Sequence, residues 1–143
     1  MQVQERQIVN VYSTHSNGVT SDSIFSKDIY INFEPDEVII KNLIFVPDNA
    51  DLSANEMATL RCDRIIGDLI TFPTGYMSKD GNGVVVVLEI VNLGFENHFV
   101  LKKPTNVNGR WTFTLIYPED GSLSDIAGIL NFTLEFIKYK SLN

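Results

Sequence analysis

An antiparallel β-sandwich of about eight strands is the fold class this sequence predicts. Three observations carry it. Apolar and polar residues alternate with period two through much of the chain, and clusters rich in Pro, Gly, Asn and Asp separate the alternating stretches. No amphipathic segment long enough for a crossover helix stands between them, which excludes a parallel α/β sheet.

In chain order, Ile8 to Tyr12 is the opening strand and Ser13 to Ser23 a polar loop, so that residues 1–24 form an N-terminal arm or strand. Ile29, Ile31 and Phe33 alternate with polar neighbours as in a half-buried strand, and Glu34-Pro35-Asp36 turns the chain. Val38 to Val46 is the next strand, closed by Pro47-Asp48-Asn49. Ser53-Ala54-Asn55-Glu56 has capping-box spacing before Met57-Ala58-Thr59-Leu60, which predicts a short helical turn. Leu60 to Phe72 reads as one extended stretch in which Gly67 marks a bulge or bend. Asp80-Gly81 and Asn82-Gly83 supply a hairpin turn before the apolar strand Val84 to Val91. Asn97 to Lys102 and Trp111 to Tyr117 are expected to pair across the loop that holds Pro104 and Asn108-Gly109, with Trp111 in the core. Ser122 to Asp125 offers a brief second helix start, ended by Gly128. In the last strand Leu130, Phe132, Leu134 and Phe136 alternate with Asn131, Thr133 and Glu135, the clearest pattern in the chain.

A chain of 143 residues at 44% hydrophobic is expected to make one domain spanning residues 1–143. At that size about two-thirds of the unfolded surface can be buried, so a core forms without covalent staples. Cys62 has no partner within the chain, which excludes an internal disulfide scaffold. The N-terminus lacks the apolar stretch of a secretory signal, and no apolar run approaches the roughly 18 residues of a membrane helix. Asn131-Phe132-Thr133 has the glycosylation pattern but lies mid-strand. The net charge of −7 argues against sequence-independent nucleic-acid binding, which needs a basic stripe. The acidity is concentrated in residues 1–97, while residues 98–143 are close to neutral.

The catalytic inventory is thin. His15 and His98 are the two histidines, and neither has close ligand spacing to Cys62 or to a carboxylate cluster. No nucleophile elbow and no phosphate-cradling Gly-rich loop occur. Asp48-Asn49-Ala50-Asp51 and Asp80-Gly81-Asn82-Gly83 carry oxygen ligands of the kind calcium takes, without the spacing or terminal glutamate of an EF-hand. Turn chemistry explains both. No enzyme activity, cofactor or metal is therefore expected.

Several segments point to a family. Asn97-His98-Phe99-Val100-Leu101, Gly109-Arg110-Trp111-Thr112-Phe113-Thr114-Leu115, Asp120-Gly121 and Leu130-Asn131-Phe132-Thr133-Leu134-Glu135-Phe136-Ile137 resemble the closing strands of small single jelly-roll proteins. The family is that of virophages and other eukaryotic double-stranded DNA viruses. Asp36 to Leu43 resembles an earlier strand of the same group. The resemblance implies a jelly-roll sandwich and a non-enzymatic structural virion protein, a minor capsid or capsid-surface module. It also implies a homo-oligomer, with a trimer favoured, beside other capsid proteins. The alternative is a receptor- or carbohydrate-binding module acting through loop tips, with Tyr76, Asp80 and Asn82 as the candidate binding residues.

Overall fold

The computed structural model describes residues 2–13, 24–47, 57–73, 77–79, 81–82, 85–88, 90–103, 106–122 and 128–141. Among the described residues ten strands form: β1 (Val3–Tyr12), β2 (Ile24–Ile29), β3 (Glu37–Pro47), β4 (Met57–Cys62), β5 (Asp68–Pro73), β6 (Met77–Lys79), β7 (Val85–Leu88), β8 (Val91–Val100), β9 (Gly109–Ile116) and β10 (Gly128–Tyr139). One four-stranded sheet runs β1-β10-β3-β8 and the other β2-β9-β4-β5, while β6 and β7 make a separate hairpin. Every ladder is antiparallel. Leaving out the hairpin, first pairs with last (β1 with β10), then β2 with β9, β3 with β8 and β4 with β5. That nesting is one long antiparallel hairpin rolled into two sheets, the jelly roll.

The inward faces follow the alternation. Leu130, Phe132, Leu134 and Phe136 of β10 are fully buried against Trp111, Phe113 and Leu115 of β9. Aromatic rings join the sheets, with Phe113 edge-on to Phe132 at 5.2 Å and Trp111 edge-on to Phe136 at 5.5 Å. The indole Nε1–H of Trp111 donates to the Val107 carbonyl at 2.7 Å, so its one polar group is satisfied inside the core. In β3 the inward residues switch from Val38 and Ile40 to Leu43 and Phe45. Asn42 (φ 59°) sits at that switch as a bulge against both neighbouring strands, and asparagine accepts the left-handed region more readily than most residues.

Several sequence expectations are corrected. Leu60 to Phe72 is two strands, β4 and β5, because Gly67 (φ 97°) completes a full reversal rather than a bend. Met57–Leu60 is strand and not helix, since β4 is paired on both sides and buries Ala58 and Leu60 with period two. The capping residues 53–56 lie outside the described residues. The strand expected over Ile29 to Phe33 lies earlier, as β2, and the chain after Ile29 crosses from one sheet to the other. There the Ile31 N–H is taken by the Asn108 side chain at 2.6 Å instead of a ladder. Asn97 to Lys102 does not pair with Trp111 to Tyr117. The loop after β8 crosses between sheets, so β8 pairs with β3, and β9 pairs with β2 and β4. The apolar run from Val84 is divided between β7 and β8.

Candidate functional site

The β2–β3, β4–β5 and β8–β9 connections gather at one end of the sandwich, where a cleft of about 470 Å³ opens. The β4–β5 turn supplies Arg64, Ile65 and Ile66, the end of β8 supplies His98, Phe99 and Val100, and Leu101, Lys102 and Asn106 close it. The turn is fastened to β9 by two bonds. The Asp63 N–H donates to the Thr112 carbonyl at 3.1 Å, and Asp63 Oδ1 accepts from the Thr112 N–H at 3.0 Å. The next residues, Arg64 to Ile66, line the cleft.

Arg64 is held rather than free. Its Nε and Nη2 both donate to the Arg110 carbonyl, at 3.4 and 3.1 Å, and Nη1 donates to the Asn106 carbonyl at 3.0 Å. Neutral carbonyls leave its positive charge uncompensated, and among the described residues it makes no ion pair. The guanidinium lies over Gly109, whose φ of +121° disfavours any side chain and where an added Cβ would meet Nη2 at 3.0 Å. Gly109→Ala is accordingly expected to cost about 1–2 kcal/mol in urea unfolding. A variant as stable as the wild type would show that Arg64 is not seated on this glycine.

On the other wall, His98 Nδ1 is hydrogen-bonded to Glu37 Oε1, and its Nε2 lies 3.4 Å from Glu96 Oε2. The other oxygen of Glu37 accepts from the Tyr139 hydroxyl, a contact that raises the pKa of that phenol. The Glu37 carboxylate holds the His98 imidazole above its ordinary value of 6.5. Because the folded pKa is the higher one, the pair's stabilisation is complete below the unfolded value and fades as pH rises through the folded value. Half-exposure of the histidine keeps the effect small. The wild-type Tm is therefore expected to fall as pH rises above 6.5 more than that of His98→Gln. Parallel curves for the two proteins would contradict the pairing.

Beside this cluster, Asp36 accepts from the Tyr139 N–H at 2.8 Å and meets Lys103 Nζ at 2.5 Å. Lys103 first, then the Tyr139 amide, hold its carboxyl below the ordinary carboxylate value. Cys62 lies under the turn, and burial pushes its thiol up to about 12, the opposite of an activated nucleophile.

The residues proposed from sequence fall elsewhere. Tyr76, Asp80 and His15 lie outside the described residues, as does Asp48-Asn49-Ala50-Asp51. Asn82 is exposed in the β6–β7 turn and does not line the cleft. Among the described residues no group of three or more His, Cys, Asp or Glu is gathered as a metal site. The cleft was missed because it joins two segments some thirty residues apart. A local hint existed in Ile65-Ile66, two aliphatic residues set in a turn beside Arg64.

No family model matches the chain, and no curated protein does. Among solved structures, the chain is similar to the core of the Drosophila protein NLP, described in terms of pentamer formation and histone binding. The identity is 14% and the TM-score 0.40, over 95% of this chain and all of that one. At that distance the likeness carries no functional argument, but it is to no capsid protein. The expectation of a structural virion protein is thus corrected, together with its receptor- or carbohydrate-binding alternative. The quoted strands are alternating patterns that any two-sheet sandwich requires, so they carry fold and not virion membership. No helix among the described residues is long and apolar enough to cross a membrane.

Proposed function

We propose that this chain is a non-catalytic jelly-roll module that works by associating with copies of itself through the flank formed by β1 and β2. The observation that carries this reading is the distribution of exposed apolar side chains. Ile8 and Tyr12 on β1 are 58% and 57% exposed, with Val3 on the same strand, Ile24 on β2 and Tyr30 just beyond it. Both are edge strands, joined across the flank by the Gln7 side chain, which donates to the Tyr30 carbonyl at 3.0 Å. A ten-residue edge strand bearing outward aliphatic and aromatic groups is a surface that associates, since among the described residues no strand pairs with its outer edge.

A closed ring or dimer is the expected form, because an open head-to-tail contact would grow into filaments. The trimer that the jelly-roll resemblance implied is one such closed form. His98 has both ring nitrogens facing carboxylates, Glu37 and Glu96, and Cys62 is buried, so neither is read as a catalytic group. Light scattering at micromolar concentration is expected to give an integer multiple, above one, of 16.1 kDa. A stable monomer overturns the reading.

A further inference from the structure

The cleft on the opposite flank has a chemistry of its own. Among the described residues its lining contains no carboxylate, and of its basic groups His98 is already paired with Glu37 and Glu96, which leaves Arg64 to set its charge, in a chain that carries 18 acidic residues against 11 Lys and Arg. Arg64 is fixed in place by three hydrogen bonds to carbonyls, which leaves two of its five N–H groups for a ligand and, among the described residues, no anion to neutralise it. Ile66 and Val100 stand on the rim at 90% and 86% exposure, the two most exposed large apolar side chains described. A small molecule inside the cleft would leave both in water, whereas a length of chain lying across it covers both. Along one side runs β8, an edge strand. No strand pairs with its outer edge among the described residues, where β5 is tied to it by the Asn97 side chain on the Leu69 carbonyl at 2.8 Å, so the backbone beyond that tie, at His98 to Val100, can accept another strand.

We propose that this cleft binds an extended peptide segment in which an acidic and an aliphatic residue stand two apart. The carboxylate meets Arg64 and the aliphatic side chain lies between Ile66 and Val100. Spacing by two matters because alternate residues of an extended chain face the same way. Fixing Arg64 beforehand removes the entropy cost that a mobile arginine would incur on binding. Charge complementarity selects the segment over a basic one and makes its binding weaken with salt. The site is separate from the β1–β2 flank, so this proposal stands whether or not the chain self-associates.

The test is fluorescence anisotropy with a labelled heptapeptide, Val-Ser-Asp-Ser-Val-Ser-Asp, against the full-length protein. Saturable binding is expected, with at least roughly tenfold weaker binding when lysine replaces both aspartates. Arg64→Gln and Ile66→Asp are each expected to weaken binding by about tenfold or more, and Ile129→Asp, exposed at the far end of β10, to leave it unchanged. Ile66 is exposed, so its variant folds even if the arginine variant does not. The proposal is overturned by absent binding, by equal affinity for the lysine peptide, or by an unaffected Ile66→Asp. Displacement of the peptide by free octanoate at equal concentration overturns it in favour of a small amphiphile. A drop in the mass of the protein caused by Ile66→Asp overturns it in favour of a second copy of this chain.

Discussion

Replacing Trp111 with alanine is expected to destabilise the protein by about 4 kcal/mol, lowering Tm by roughly 10–15 °C. Trp111 is 1% exposed and stands where β9 meets β10, ring against ring with Phe113 and Phe136. Its removal opens a cavity that neighbouring rings cannot close without breaking their own edge-to-face contacts. The Val107 carbonyl also loses its donor and is left buried without a partner. Trp111→Phe, which keeps most of the apolar volume, is expected to cost about 1–2 kcal/mol through that carbonyl alone. Urea unfolding checks both: the midpoint should fall in this order with the slope unchanged. A loss below about 1 kcal/mol for the alanine variant would remove Trp111 from the centre of the core.

The second large effect concerns a carboxylate on the outer face of the β1-β10-β3-β8 sheet. Glu135 is only 4% exposed, yet it faces away from the core, roofed by Arg6 and Lys41 at 2.5 Å each. Its partners reach solvent, at 53% and 22% exposure, and it does not. That asymmetry fixes which substitution is costly. Lys41→Met leaves a buried carboxylate with one half-exposed cation and is expected to cost about 2 kcal/mol. Glu135→Leu removes the buried charge, lets both cations extend into water and should cost less than about 1 kcal/mol. Combining the two should recover most of the loss from Lys41→Met, a coupling that a double-mutant cycle reads directly. A larger loss from Glu135→Leu than from Lys41→Met would contradict this assignment of the buried partner.

What could be read from the sequence follows from where the causes lie. The alternation of Leu130 to Phe136 is local, and the structure buries all four apolar residues. Trp111 is legible as core for the same reason, the apolar face it shares with Phe113 and Leu115. Sheet membership was not legible, because pairing depends on which loops cross between layers. The loop at Leu101 to Asn108 looks like a hairpin turn and serves as a crossover, closed by Trp111 on Val107 and by Ile31 on Asn108. Asn42 gave no warning either: its bulge is visible only once β8 and β10 are alongside β3. The cleft belongs to this second class. Nothing near Arg64 says that β8 ends beside it, and nothing near Val100 says that a turn stands over it. The edge status of β1 has the same origin, since it follows from the nesting of first strand with last and not from the composition of Val3 to Tyr12.

Sedimentation equilibrium of the wild type beside the Ile8→Asp, Tyr12→Asp double variant tests self-association through the β1–β2 flank most directly. Both side chains are more than half exposed, so the substitutions leave the core untouched. The wild type should sediment as an assembly and the double variant as a monomer of 16.1 kDa with an unchanged circular dichroism spectrum. A double variant that stays assembled at the wild-type mass would place the contact elsewhere on the sandwich and contradict the account.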